Sequence, residues 1–273
     1  MKIGIIGLGN MGQAIASKIK NTYTVFAYEK DKARVSSVED IQAVGSIQEL
    51  LEKADAIILA VKPQDFAELL GQIKKYPHIL DKLFISIAAG LGTSYIENLL
   101  GVVRVVRVMP NMPARIGYGM TCLCSGKYAS LEDFDFAQDV FEYMGEVMAI
   151  DEAKMDEATA ISGSGPGWFF NAVANNPEAY KNNWSGFMEN FTAELEDAAR
   201  SLGFSPDQAH FMSLITLRGA DKMLENGADP VGLRQQVASK GGTTQAGLDV
   251  LNSGGTLKDA IMASIKRAKE LAA

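Results

Sequence analysis

Two short stretches of this 273-residue chain carry residue types suited to chemistry rather than to packing alone. The first is KIGIIGLGNMG, in which Gly7, Gly9 and Gly12 form a G-x-G-x-x-G run directly after the apolar segment Lys2–Ile6. In that setting the first glycine permits a tight turn, the second lets a pyrophosphate approach the backbone, and the third lets a helix pack on the strand. The helix starting at Asn10 turns its free N–H groups and positive dipole end toward the phosphates. Leu8, Asn10 and Met11 therefore join the expected contacts. Spaced glycines also arise in purely structural turns; the strand–turn–helix context is what the dinucleotide reading adds.

The second stretch is Ser239–Gly247, SKGGTTQAG. Gly241 and Gly242 supply a flexible turn, and Thr243 or Thr244 opens a helix. A helix start holds a carboxylate or phosphate on its N–H groups, and a threonine hydroxyl there adds one more bond. A threonine at that place also serves as a plain N-cap. The residues alone leave both readings open.

The elements that must position these stretches alternate between strand and helix. Tyr23–Tyr28 reads as a second strand, and Glu29 ends it, 22 residues after Gly7. An acidic group there accepts hydrogen bonds from an adenosine ribose, which favours NAD. Lys30 and Lys32 beside it suit a 2′-phosphate, which favours NADP; a solvated polar turn is the plain alternative. Ser46 and Glu49 form a capping-box pattern for a helix to Lys53. Asp55–Val61 is a buried strand that delivers Ala60, Val61 and Lys62 to its carboxyl end, where open α/β sheets bind ligands. Pro63 suits the first turn of the next helix. Phe84–Ala88 is another buried strand, and the small residues Ala88 and Ala89 leave room for a flat ligand. Val102–Met109 follows and is broken by Pro110-Asn111-Met112-Pro113. Gly119–Leu123 and Glu146–Ile150 are strand-like, with a helix over 131–143 between them.

This pattern predicts an α/β protein: a Rossmann-type, doubly wound sheet over residues 1–152, then an all-helical domain over 153–273. Phe187–Leu202, Pro206–Glu225 and Leu257–Leu271 are the clearest amphipathic helices. The second presents Phe211, Leu214, Ile215, Leu217 and Met223, and burial of that face by a partner chain is expected.

Composition narrows the function further. The chain is 47% hydrophobic and 22% charged with a net charge of −7. A binder of nucleic acid or anionic membrane should be basic, so neither partner is expected. The apolar run Ala56–Val61 is too short to span a bilayer. No charged n-region and long apolar h-region opens the chain, and Cys122 and Cys124 read as reduced sheet residues, so a cytoplasmic location is expected. His78 and His210 lie in unrelated stretches, and no metal site is expected.

Together these motifs resemble pyrroline-5-carboxylate reductase. The resemblance covers nearly the whole chain: IGIIGLGNMG, AVKP at Ala60–Pro63, SIAAG at Ser86–Gly90, RVMPNMPA at Arg107–Ala114, SGSGP ending at Pro166, and SKGGTTQAGLDVL at Ser239–Leu251. It implies reduction of a cyclic imine carboxylate by NADPH or NADH, and a helical domain that joins two subunits, with larger assemblies in many members. Carried over residue by residue, Gly7–Gly12 hold the pyrophosphate, and Ala60, Val61, Lys62, Pro63, Ala88 and Ala89 line the cofactor. Met109 and Asn111 lie near the nicotinamide, and Ser239, Gly241, Gly242, Thr243 and Thr244 hold the substrate carboxylate. Thr244 matches the threonine that hydrogen-bonds the substrate ring nitrogen. The resemblance tips the cofactor toward NADPH.

Three departures stand out. Met112 replaces the family's usual threonine, Lys240 replaces the proline before Gly-Gly, and residues 168–186 resemble an insertion whose asparagines predict a turn-rich excursion. Other readings are a β-hydroxyacid dehydrogenase of the 6-phosphogluconate type, a coenzyme F420-dependent NADP reductase, or a cofactor-binding protein with a dead site. The first lacks its expected lysine after Pro166, the second would lack GGTT, and the intact SKGGTT opposes the third.

Overall fold

The computed structural model describes residues 1–35 and 38–272. The side chain of Lys32, considered above for a 2′-phosphate, lies outside the described residues. The chain divides into two compact units, one of residues 1–109 and 122–152, the other of residues 110–121 and 153–273. The stretch Pro110–Thr121 therefore belongs with the helical unit, not with the dinucleotide-binding part to which the sequence assigned it. Two contacts account for this. The Asn111 amide donates to the Ser162 carbonyl at 3.1 Å, and Gly219 leaves no room for a Cβ against the Tyr118 carbonyl and Pro113.

The first unit runs β1 (Lys2–Ile6), α1 (Asn10–Ile19), β2 (Thr24–Tyr28), α2 (Lys32–Val35), β3 (Gln42–Ala43), α3 (Ile47–Lys53), β4 (Ala56–Leu59), α4 (Phe66–Ile73), β5 (Leu83–Ser86), α5 (Thr93–Leu100), β6 (Arg104–Met109), the part of β7 (Gly119–Ser125) from Cys122 onward, α6 (Leu131–Glu142) and β8 (Gly145–Ala149). The sheet order is β3-β2-β1-β4-β5-β6-β7-β8. Pairing is parallel from β3 to β6, with Ile5 opposite both Ala27 and Ile58. β1, β4 and β5 are central, so their residues read as continuous apolar runs; all four residues of β4 are buried. Ile57, Leu59 and Phe84 meet Leu50, Phe66 and Ile96 from the helices in one apolar cluster. β7 pairs antiparallel to β6, Val108 opposite Leu123. This follows from a short return through a 3₁₀ turn at Met112–Ile116 rather than a helical crossover. The Ser46 hydroxyl caps α3 by accepting from the Glu49 N–H at 3.1 Å. Glu49 closes the loop on the Gly45 N–H at 2.8 Å, one residue earlier than a standard capping box.

The second unit holds α7 (Met155–Ala158), α8 (Gly165–Asn175), α9 (Pro177–Asn182), α10 (Trp184–Ser201), α11 (Pro206–Glu225), α12 (Pro230–Val237), α13 (Thr243–Asn252) and α14 (Leu257–Ala272). A π-helical turn, Thr159–Gly163, joins α7 to α8. Its main pairings are α13 with α14, α12 with α8, and α11 with α10 and α8. These pairings account for part of the apolar face of α11. Leu217 is fully buried and Met223 is 7% exposed, whereas Phe211, Leu214 and Ile215 stay half-buried, so the chain covers one side of the helix and leaves the other partly open to a partner.

Residues 168–186 are also not the turn-rich excursion their asparagines suggested. They are helical apart from single breaks at Asn176 and Asn183, the second of which caps α10 through the Gly186 N–H. Aromatic burial outweighs turn propensity here. Phe169 meets the rings of Tyr180, Phe187 and Phe191 edge-on. The Tyr180 hydroxyl and the Trp184 indole N–H both donate to the buried Asp221 carboxylate, at 2.5 and 3.0 Å.

Candidate active site: a dinucleotide cleft and an open helix start

In the first unit the glycine turn between β1 and α1 is built as its spacing requires. Gly7 has φ +100°, a conformation other residues resist. A Cβ on Gly12 would lie 2.1 Å from the Gly7 carbonyl oxygen, so α1 packs on the turn only because that atom is missing. Gly9 is different: a Cβ there would meet nothing within 4 Å. The space beside Gly9 is open to a ligand, and Gly9 caps α1 without any side-chain bond, leaving the leading N–H groups for an anion.

Gly7 and Gly9 border a cleft of about 330 Å³ that also takes in Tyr28, Glu29, Lys30, Arg34 and Ala60–Lys62. That lining fits a dinucleotide. Glu29 sits where the motif predicts but does something else. Its carboxylate accepts from the Leu8 N–H at 2.6 Å and from the Asp31 N–H at 3.0 Å. It braces the glycine turn from the wall of the cleft. Lys30 is paired loosely with Glu68 at 3.4 Å, and Arg34 with Asp31 at 3.5 Å, both at the surface. Arg34 was missed in the sequence. Its only signal was its place in the segment after β2, where 2′-phosphate ligands gather.

Pro63 starts a 3₁₀ turn after Lys62, at the carboxyl end of β4. Ala88 is buried and Ala89 exposed after β5, and neither they nor Met109, which ends β6, is part of the cleft lining. Asn111, in the second unit, is buried, and its amide is engaged at both ends: it donates to the Ser162 carbonyl and accepts from the Met120 N–H at 3.0 Å. It pins the residue 110–121 stretch.

The second unit carries the other motif. The Gly242 N–H donates to the Ser239 carbonyl at 2.9 Å, closing a turn, and Gly241 has φ +71°. From α14, the Arg267 Nε–H donates to the Gly241 carbonyl at 2.8 Å and holds the turn from outside. Sequence spacing had not marked Arg267, because its role depends on α14 folding back along α13. Gly242, with extended backbone and no side-chain cap bond, is the N-cap of α13. Thr243 and Thr244 are thus its first two helical residues, and the N-cap reading of either threonine is corrected. Thr244 is 6% exposed. Its hydroxyl lies 2.8 Å from that of Ser164. Ser239 and Gly241 are exposed, and Gly242 and Thr243 half-buried. The result is a helix start with leading N–H groups unspent on a cap, beside one oriented hydroxyl.

Cys122 and Cys124 lie on β7, both buried. Burial first, then the nearby Glu152 carboxylate, pushes the Cys124 thiol up to about 12, so it is not a nucleophile at neutral pH. Among the described residues no cluster of His, Cys, Asp and Glu is placed to hold a metal, and no helix is long and apolar enough to cross a membrane.

Fold and cleft define a Rossmann-type dinucleotide-binding protein with a helical carboxyl-terminal unit. Comparison with known proteins narrows this. Residues 2–90 match the family described as NADP oxidoreductase, coenzyme F420-dependent, and residues 185–272 match pyrroline-5-carboxylate reductase dimerisation. Pyrroline-5-carboxylate reductase 1 of Bacillus spizizenii is 33% identical over 286 residues, covering 99% of this chain and 89% of that protein. The Methanosarcina acetivorans pyrroline-5-carboxylate reductase is also 33% identical, covering 99% and 97%. Among solved structures, the Plasmodium falciparum pyrroline carboxylate reductase with NADP bound is 30% identical, with a TM-score of 0.63 and coverage of 100% and 98%. The Coxiella burnetii pyrroline-5-carboxylate reductase is 29% identical with a TM-score of 0.66, covering 100% and 98%. The chain belongs to the pyrroline-5-carboxylate reductase family.

Proposed function

We propose that this protein is an NAD(P)H-dependent enzyme that reduces L-1-pyrroline-5-carboxylate to L-proline, with NADPH as the preferred donor. The observation that carries this is the α13 start: Gly242 leaves the leading N–H groups uncapped, and Thr244 brings one buried hydroxyl beside them. A planar five-membered imine bearing a carboxylate matches that pair, anion on the N–H groups and ring nitrogen on the hydroxyl. When bound, the reduced nicotinamide supplies the hydride for the C=N carbon. The chain's residues then have a short task. Gly7–Gly12 hold the pyrophosphate, and Lys30 and Arg34 offer cationic partners to a 2′-phosphate, while Glu29 is spent on the Leu8 N–H. Ser239–Thr243 hold the carboxylate, and Arg267 keeps that turn in place. Because the imine can arrive protonated, positioning does much of the work and no strong side-chain base is required.

Self-association through residues 185–272 accords with the dimerisation family they match. We take the working form to be a dimer or higher oligomer. The buried thiols of Cys122 and Cys124 suit a reducing, cytoplasmic setting.

The test is NADPH oxidation with pyrroline-5-carboxylate, followed by absorbance, with proline identified as product. Thr244→Ala should lower kcat/KM about tenfold or more, since a hydrogen bond to a charged group contributes about 1.5–3 kcal/mol. Thr244→Ser should retain most activity. A folded sample that turns over with neither NADPH nor NADH would sink the assignment. Normal turnover in Thr244→Ala would remove its role.

A further inference from the structure

We infer that Ser164 is a positioning residue for the reduction: its buried hydroxyl fixes the direction of the Thr244 hydroxyl and so aims that group's remaining hydrogen-bonding capacity at the substrate ring nitrogen. This rests on the role given to Thr244 above.

A threonine in a helix divides between two side-chain rotamers. Here both branches of Thr244 are constrained. The hydroxyl meets Ser164 at 2.8 Å, and the two residues are 6% and 1% exposed. The methyl occupies the space left by Gly167: a Cβ on that glycine would lie 2.8 Å from Thr244 Cγ2. One turn further along α13, Gly247 fits over the Trp168 ring, where a Cβ would come within 2.2 Å of Cη2. Thr244 and Gly247, three residues apart, thus share the face of α13 that meets α8.

Ser164 is itself held. Its N–H donates to the Thr159 carbonyl at 2.9 Å, five residues back across the π-helical turn, and its carbonyl accepts from the Gly167 N–H at 2.8 Å. A π turn inside a helical run places a side chain where a regular helix would not.

The chemistry of the pair suits an imine. A hydroxyl donates once and accepts twice, and in this pair either oxygen can be the donor. When the ring nitrogen carries its proton, Thr244 accepts that N–H and donates its own hydrogen to Ser164. When the nitrogen is unprotonated, Ser164 donates to Thr244, and Thr244 donates to the nitrogen. Ser164 supports both arrangements without contact to the substrate.

The experiment is a double-mutant cycle of Ser164→Ala and Thr244→Ala, with kcat and KM for pyrroline-5-carboxylate, the NADPH dissociation constant and the melting temperature measured for each. Ser164→Ala is expected to lower kcat about fivefold or more, with NADPH affinity and melting little changed. In the Thr244→Ala background its effect should shrink below about twofold, because the group it orients is gone. Wild-type kcat in Ser164→Ala, or an equal loss in both backgrounds, overturns the inference. Wild-type turnover in Thr244→Ala would instead overturn the role of Thr244 itself, so the two failures are distinct. Should Ser164→Ala not fold, Gly167→Ala presses on the Thr244 methyl instead. It should lower kcat, and Thr244→Ser, which lacks that methyl, should restore it. Full activity in Gly167→Ala, or no restoration, counts against the fixed orientation.

Discussion

Gly9 and Gly12 belong to one motif, yet the structure predicts opposite consequences for replacing them with alanine. At Gly12 the new Cβ would sit 2.1 Å from the Gly7 carbonyl oxygen, a backbone atom with no flexible side chain to yield. α1 must move away from the turn. Overpacking of that kind costs about 1–3 kcal/mol, occasionally more. For a chain of this size that is a loss of roughly 2–12 °C in melting temperature. At Gly9 the Cβ meets nothing within 4 Å. The backbone there, φ −69° and ψ −174°, is open to any residue. A slightly poorer N-cap is offset by lower entropy in the unfolded chain, about 0.4–1 kcal/mol, so melting should barely change. The methyl instead occupies the approach of the pyrophosphate. Losing one hydrogen bond to a charged group, about 1.5–3 kcal/mol, raises the dissociation constant for NADPH about 10- to 150-fold. Calorimetric melting without ligand and titration with NADPH separate the two effects. Wild-type affinity in Gly9→Ala, or equal melting losses in both variants, would refute the assignment of one glycine to the ligand and the other to packing.

Glu29→Ala should weaken NADPH and NADH by similar factors, because the bond lost is to the Leu8 N–H and not to a ribose; a loss confined to NADH, measured as the ratio of the two dissociation constants, would restore the ribose role. Tyr180 links stability to alkaline pH. Burial, then its hydrogen bond to Asp221, raises the phenol above its ordinary value of 10.0. The folded chain therefore holds that proton more tightly than the unfolded chain. The stabilisation is complete below pH 10 and is lost as pH rises through the raised value. Urea midpoints of the wild type should fall more steeply above pH 10 than those of Tyr180→Phe, and parallel profiles would show that the phenol does not titrate with unfolding.

What the sequence determined is what rests on near neighbours. The strand, glycine turn and helix at Lys2–Ile19 are specified by β-branched residues and three glycines within a dozen positions. Pro206–Glu225 could be bounded to the residue because Ser205, Pro206 and Gln208 encode the helix start locally, through a full capping box. The parallel order of the sheet followed from the alternation of buried runs and helices.

Only the tertiary structure decided matters that depend on residues brought together from afar. Glu29 had the spacing of a ribose ligand, but the fold offered it the Leu8 N–H, 21 residues away, and a buried donor in reach takes precedence over solvent. Helix α11 is apolar on more than one side, and only the packing of α8 and α10 shows which residues the chain buries itself, Leu217 and Met223, and which stay half-buried, Phe211, Leu214 and Ile215. Residues 168–186 looked like turns because asparagine propensities are weak against an aromatic cluster anchored on Asp221. Ser164 and Thr244 are 80 residues apart, each an ordinary hydroxyl in sequence. They become a site because a π turn aims one, an uncapped helix start presents the other, and two glycines let the helices close far enough for the hydroxyls to meet.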